Sequence, residues 1–242
     1  LLLSGAYAMA GDTRNEQINA LASTREWLRL LHVDSPLWGA MPARSDIEMP
    51  AFFITTDGRH NPVAEFNAIV DAILKNDSRT ICRFPARATY ANTALHLRDA
   101  GDLLAQCDDL NAWRKRVNAH SVVLVFASSY LNSPSSMYGH TLLRIDPPSI
   151  EQGSEWLSHA VSFAATITAD DNSLFYAWKG LAGGYPGTFS LLPYYEKIKE
   201  YNQLENRDLW EYRLDLDQHE IDRLMLHLWE LDGVRFPYYF LD

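Results

Sequence analysis

The stretch that decides the fold is Leu-Asn-Ser-Pro-Ser-Ser-Met-Tyr-Gly-His-Thr-Leu-Leu-Arg-Ile-Asp, residues 131–146. A strongly apolar run at 122–127 precedes it, and such a run is typical of a buried strand. The polar loop between the two runs ends at Gly139, which predicts a hairpin whose second strand begins with His140. An imidazole on a rigid strand beside a polar loop is a candidate general base. A lone histidine at a strand end more often satisfies backbone groups, so spacing alone favours that structural role.

The chain is acidic and rich in apolar residues. It has 242 residues and a formal net charge of −10, and 47% of it is hydrophobic. A chain of this length buries roughly 70–75% of its unfolded surface, which predicts one large domain, or one domain with a helical arm. Nucleic acid is excluded as the main partner because no basic stripe is present. No His, Cys and carboxylate set has metal-ligand spacing, so we predict no metal site and no cofactor.

The first ten residues have the pattern of the end of a secretory signal peptide. Leucines at 1–3 begin the segment, and a small-x-small pattern at Ala8 and Ala10 precedes an abrupt change to polar residues. We therefore predict a signal-peptide remnant over residues 1–10 and an exported protein. The alternative is the start of an apolar helix, although the run is too short to span a membrane.

The chain contains two cysteines, Cys82 and Cys107. A small, even number of cysteines in an exported protein predicts a disulfide between them. The alternative is that one of them is a catalytic thiol. Neither stands at a helix start or in a glycine-rich segment that would activate a thiolate, so the disulfide is the preferred interpretation.

Helical periodicity dominates residues 11–119, which we predict to form a helical N-terminal part. Asn61-Pro62 is typical of a helix start, with Asn at the cap and Pro at the first position. One strand is predicted within this part, over residues 51–55. Arg83 and Arg87 are expected to form ordinary surface salt bridges rather than to bind a phosphate or a carboxylate.

Strand patterns dominate residues 120–242. Alternating or continuous apolar runs predict strands at 122–127, 140–145, 156–168, 188–192, 209–214 and 236–241. Helices are predicted at 173–181, at 194–201 and after Asp217, which caps a helix that ends at Gly233.

Several of these segments, taken together, carry a family resemblance. They are Asn132–Ile145, Tyr176–Leu181 with Gly183–Gly187, Pro193–Lys197, Glu205–Tyr212 and Phe236–Phe240, with earlier support from Trp27–His32 and Cys82–Arg87. In this order they resemble the Lnb N-terminal periplasmic domain family. The layout also resembles permuted papain-like thiol enzymes such as lecithin–retinol acyltransferase. The resemblance implies an α+β fold: a permuted papain-like antiparallel sheet with packed helices over 120–242, preceded by the helical part.

The family name implies acyl transfer from a phospholipid to the α-amino group of a lipoprotein, through a thioester. His140 would be the base, and the nucleophilic cysteine is expected just after Asp242, which makes the 120–242 part C-terminally truncated. The orienting third group would be Ser162 or His159 on the next strand. The family tends to carry Asn where this chain has Ser162, and a plain strand residue is the alternative for that position.

The loop before His140 supplies further candidates. Backbone amides around Ser135 and Ser136 are candidates for polarising an oxyanion. The candidate substrate-binding residues are Ser133, Ser135, Tyr138 and Tyr185. Tyr185 would be an aromatic lip on the Gly183–Gly187 loop, for which a glycine helix stop followed by a turn is the alternative.

The resemblance implies a periplasmic protein, attached to the inner membrane through segments beyond residue 242, with lipoprotein and phospholipid substrates. Two other functions remain open. A thiol amidase or peptidase of the cell envelope would use the same His140 but hydrolyse its intermediate. A non-catalytic binding or scaffold domain would use His140 only structurally.

Overall fold

The N-terminal half of the chain is helical, as the sequence predicts. The computed structural model describes residues 14–33, 44–128, 139–148, 157–165, 183–199 and 208–239. The chain divides into two units, Leu1–Asp108 and Asp109–Asp242. The helices of the first unit are α1 (residues 14–22), α2 (Arg25–Leu30), α3 (Pro62–Leu74), α4 (Ser78–Arg83), α5 (Pro85–Leu95) and α6 (Ala100–Leu103).

The core of the first unit is built around Trp27, which is fully buried. Its ring meets Phe66 edge-on at a centroid distance of 4.9 Å and stacks on Tyr90 at 5.8 Å. The indole Nε1 donates to the carbonyl of Pro62 at 2.9 Å, so its polar atom is satisfied inside the core. Helices α2, α3 and α5 are therefore joined through one aromatic cluster.

The prediction that Arg87 forms a surface salt bridge is wrong. Arg87 and Glu65 are both fully buried, and Arg87 Nη1 lies 3.4 Å from Glu65 Oε2. The guanidinium also lies over the rings of Phe52 and Phe84, with its carbon 4.1 and 4.4 Å from the two centroids. A planar cation can stack on aromatic rings while it pairs with a carboxylate, which compensates for its loss of water.

The strand predicted at 51–55 is also wrong. Residues Pro50–Phe52 form a 3₁₀ helix, closed by a hydrogen bond from Phe53 N to the carbonyl of Pro50 at 3.0 Å. The next two amides, those of Ile54 and Thr55, donate to the carboxylate of Glu65 at 3.1 and 2.7 Å. Because a buried side chain satisfies these amides, the segment needs no partner strand.

The predicted disulfide is confirmed. Cys82 at the end of α4 is bonded to Cys107, and their Cα atoms are 5.3 Å apart.

Replacing both cysteines with serine is expected to lower the free energy of unfolding by about 3.5 kcal/mol, because the bond closes a loop with a sequence separation of 25 residues. Urea unfolding of the 242-residue chain measures the change. A reductant should destabilise the wild-type chain by a similar amount and leave the double variant unchanged. A wild-type transition that does not respond to the reductant would contradict this expectation.

The second unit is an antiparallel sheet with packed helices, so the α+β prediction is confirmed. Its strands are β1 (Ser121–Ala127), β2 (His140–Asp146), β3 (His159–Ala165), β4 (Tyr185–Pro193), β5 (Leu209–Arg213) and β6 (Arg235–Tyr238). They lie in the order β5-β1-β2-β3-β4-β6. Its helices are α7 (Asp108–Val117), α8 (Tyr194–Ile198) and α9 (Gln218–Glu230).

Each face of the sheet packs against different helices, because successive strand residues point to opposite sides. The face that carries Val122, Ile145 and Val161 packs against α7 and α9, and we call it the α9 face. The face that carries Val125, Leu142 and Ala160 packs against Tyr194 and Ile198 of α8, and we call it the α8 face.

Helix α9 begins as the sequence predicts. Asp217 caps it and forms a capping box with Glu220, in which each side chain accepts from the other's backbone amide. The predictions for residues 1–10 and for a helix at 173–181 lie outside the described residues. Across the ranges that the structure describes, no helix combines the length and apolarity needed to cross a membrane.

Candidate functional site

Gly139 fixes where strand β2 begins. Its φ is +96°, a region that residues with a side chain rarely adopt. A Cβ atom at this position would lie 2.7 Å from the ring of Phe126 and 2.9 Å from the carbonyl oxygen of Ala127. The chain can therefore turn against β1 here only with glycine, and the next residue, His140, enters the sheet opposite Ala127.

His140 meets Ser162 of the neighbouring strand. The distance between His140 Nε2 and Ser162 Oγ is 3.1 Å. The register places Leu142 opposite Ser162, and alternation then puts the side chains of 140, 142 and 162 on the α8 face. Ser162 is only 1% exposed, whereas His140 is half-buried. Ser162 is therefore the buried member of the pair, and His140 is the more exposed member, at the end of the sheet where β2 begins.

The surroundings of this pair are apolar. Val125, Ala127, Leu142 and Ala160 belong to one buried cluster on the same face. On β4, Ser190 lies opposite Ser162 and donates to its backbone carbonyl at 3.3 Å. A hydrogen bond in such a setting is stronger than in water, because few other dipoles compete with it.

A buried ion network lies further along the same face. Arg144 Nε donates to Asp146 Oδ1 at 2.8 Å, and Arg144 Nη1 donates to Glu211 Oε2 at 2.7 Å. Ser158 Oγ donates to the same Asp146 oxygen at 2.7 Å. Tyr194 Oη donates to Glu211 Oε1 at 2.9 Å. The network therefore joins β2, β5, the residue before β3, and helix α8.

The ionisation of this network is set by burial and by its charges. Burial acts to lower the pKa of Arg144, but its hydrogen bond to Asp146 and the charges of Asp146 and Glu211 outweigh it and hold that pKa above its ordinary value. Burial raises the pKa of Tyr194, and its hydrogen bond to Glu211 adds to the rise. Arg144 remains a cation and Tyr194 remains a hydroxyl donor across the physiological range.

The family model for the Lnb N-terminal periplasmic domain matches residues 109–242, which is more than half of the chain. The chain belongs to this family. A second model, Domain of unknown function (DUF7843), matches residues 19–94. No curated protein and no solved structure was found to match the chain. The Lnb match covers the whole described sheet with its helices α8 and α9, and it makes this unit a periplasmic domain of an envelope protein.

Within the Lnb domain, the two candidates for the third group are on opposite faces. Ser162 shares the α8 face with His140. His159 lies three residues before Ser162 on the same strand, so its side chain points to the α9 face. His159 Nδ1 is buried without a hydrogen-bond partner among the described residues. Burial lowers the pKa of His159, and the positive charge of Arg116 adds to this effect. Of these two candidates, Ser162 lies within hydrogen-bond distance of His140, and His159 lies on the other face.

Tyr185 is placed differently from the aromatic lip that the sequence suggests. It is the first residue of β4, it is 3% exposed, and it packs in a small cluster with Tyr238 and Phe163. The substrate-binding role predicted for it remains a prediction. The other loop candidates lie outside the described residues: Ser133, Ser135, Ser136 and Tyr138.

The sequence did not predict the Arg144 network, although Arg144 lies on the strand predicted at 140–145 and Asp146 follows that strand directly. Their spacing of two positions puts them on one face and could have indicated a pair. In the described part of the chain, no group of three or more His, Cys, Asp and Glu residues has the arrangement of a metal site.

Proposed function

We propose that this Lnb domain carries the base of a membrane-attached thiol acyltransferase, which moves an acyl chain from a phospholipid to a lipoprotein amine. The observation that carries the proposal is the 3.1 Å contact between His140 Nε2 and Ser162 Oγ. This imidazole is half-buried, lies against a buried hydroxyl and packs on an apolar surface. An imidazole held in this way is better placed to transfer a proton than one that is fully solvated.

The contact between His140 Nε2 and Ser162 Oγ is compatible with either ring tautomer, and the proposal uses the one in which Nε2 carries the proton. When Nε2–H donates to Ser162 Oγ, the neutral ring has its lone pair on Nδ1. Nδ1 then takes the thiol proton, and the thiolate attacks the ester carbonyl carbon of the phospholipid. The lysophospholipid oxygen leaves with the proton from the imidazolium. The lipoprotein amine next attacks the thioester carbonyl carbon and gives a proton to the ring. The C–S bond then breaks, and the leaving sulfur takes that proton from the imidazolium to regenerate the thiol and the neutral base.

The thiol is expected, from the resemblance, in the sequence that follows Asp242. Strand β6 runs antiparallel to β4, β4 runs antiparallel to β3, and β3 runs antiparallel to β2. The last residues of β6 therefore lie at the same end of the sheet as the first residues of β2. A helix that started shortly after β6 would have its N-terminus at that end of the sheet. Helix N-termini favour thiolates, as does a neighbouring imidazolium.

The test is to trap the acyl intermediate on the full-length protein. The protein is incubated with a phospholipid that carries a fluorescent acyl chain, without an acceptor, and then denatured. We expect a covalent fluorescent band that hydroxylamine removes and that a synthetic diacylated lipopeptide with a free α-amine discharges into an amide. The matched control carries serine in place of the cysteine that the resemblance leads us to expect after residue 242, and it should show no hydroxylamine-sensitive label.

Other results would distinguish the alternatives. Label that water discharges at the same rate with or without the lipopeptide would indicate a hydrolase. The absence of covalent label, in a protein that still binds the lipid, would indicate a non-catalytic domain and would overturn the proposal.

A further inference from the structure

Strand β5 forms one edge of the sheet, and its pairing with β1 fixes which of its backbone groups face outward. Leu214 N donates to the carbonyl of Val122, and Ser128 N donates to the carbonyl of Asp208, each at 2.9 Å. Hydrogen-bonded pairs alternate along an antiparallel ladder, so the even-numbered residues 208–214 bond inward to β1. The amides and carbonyls of Leu209, Glu211 and Arg213 therefore point away from the sheet. Among the described residues, no strand pairs with them.

Two aromatic side chains of this edge are largely exposed. Trp210 and Tyr212 are each 56% exposed, and both lie on the α9 face. Between and beyond them stand Glu211 and Arg213, both exposed. Glu211 already accepts from Arg144 and Tyr194, yet its side chain remains 40% exposed. Charges on an edge strand usually discourage pairing with other chains.

Here the charges alternate in sign, and the strand is complementary to itself. If two copies pair antiparallel with Tyr212 opposite the partner's Tyr212, Glu211 lies opposite the partner's Arg213, and Trp210 opposite the partner's Leu214. The register obeys the ladder, because the outward-pointing residues 211 and 213 become the hydrogen-bonded pair. Opposite charges and aromatic residues directly across strands are stabilising.

We propose that β5 is the interface of a twofold homodimer in which the six-stranded sheets of two copies join edge to edge. The strand that pairs with this edge is β5 of a second copy, because every pair in this register joins two residues from the same five-residue segment, Trp210 to Leu214. A twofold contact is self-complementary in this way: if one residue of the first copy contacts a second residue of the partner, the second residue of the first copy contacts the first residue of the partner. The partner's Arg213 would add a third donor to Glu211, and the two tyrosines would cover each other.

The register gives a sharp test in the 242-residue chain. With Tyr212→Cys, the new thiols of two copies would have Cβ atoms about 4.5–5.5 Å apart, within reach of a disulfide after small adjustment. With Trp210→Cys, the thiols would be four residues out of register, about 13 Å apart. Both native cysteines are already bonded to each other. Mild oxidation should therefore give a covalent dimer with Tyr212→Cys and not with Trp210→Cys.

A charge reversal tests the same contact without new thiols. Arg213→Glu would place carboxylates opposite each other and should shift the chain from dimer to monomer in sedimentation velocity. Lys115→Glu, an exposed residue of α7 with the same change in charge, should leave the dimer intact. A wild-type chain that sediments as a monomer at a concentration of about 100 µM would overturn the proposal. Equal cross-linking of the two cysteine variants would overturn it as well.

Discussion

Replacing His140 with alanine in the full-length protein is expected to lower the rate of acyl transfer by about 10²–10⁴-fold, the usual contribution of a positioned general base. The imidazole is half-buried, and its Nε2 lies 3.1 Å from Ser162 Oγ, which is the geometry that the proposed base requires. The loss should appear in kcat, because the base acts on the thiol and not on the bound lipid. The measurement is the rate of lipopeptide acylation, followed by mass spectrometry.

Two variants separate catalysis from folding. His219→Ala removes an exposed histidine in the first turn of α9 and should leave the rate unchanged. Ser162→Ala removes only the orienting hydroxyl and should cost about tenfold in kcat with KM unchanged, the value of one hydrogen bond. If His140→Ala retains the wild-type rate, the base must lie elsewhere.

Replacing Arg144 with methionine is expected to lower the free energy of unfolding by about 3–5 kcal/mol, as removing one partner of a buried ion network does. Arg144 and Asp146 each have a side-chain exposure of 8%, so the variant would leave the Asp146 carboxylate buried without its cation. Methionine preserves much of the side-chain volume, so the loss measures charge compensation rather than a cavity. Chemical unfolding of the 242-residue chain gives the change.

The matched control is Arg114→Met, which breaks an ion pair with Asp222 in the same unit. The two side chains there are 32% and 42% exposed, at a distance of 3.1 Å. An exposed pair contributes roughly 0–1 kcal/mol, so this variant should be nearly neutral. Equal losses in the two variants would mean that burial does not govern the stability of the Arg144 network.

Local chemistry predicted much of the frame. Gly139 marks a turn because its backbone conformation and its contact with Phe126 exclude a side chain, and glycine is recognisable in a sequence. Asp217 and Glu220 stand three apart at a helix start, and the capping box that they form needs no distant partner. Signals of this kind lie within a few consecutive residues, so they can be recognised in the sequence before the fold is known.

Contacts between distant residues could not be predicted in the same way. Arg144 and Glu211 are 67 positions apart, and they meet only because β5 and β2 both pair with β1. Ser162 and His159 are both candidates from the sequence, and only the register of β3 assigns them to opposite faces. Arg87 appeared to be a surface residue because its partners Glu65 and Phe52 come from two other segments of the chain.

The alternation along β2 has an evolutionary consequence. His140, Leu142, Arg144 and Asp146 share the α8 face, while Thr141, Leu143 and Ile145 face the α9 side. Inserting or deleting one residue between 140 and 144 would rotate the imidazole and the guanidinium to opposite sides of the sheet. Descendants of this gene can therefore gain or lose codons in the connections between strands far more readily than within these seven positions. An even spacing from the histidine to the arginine is the trait by which homologues with the same site should be recognised.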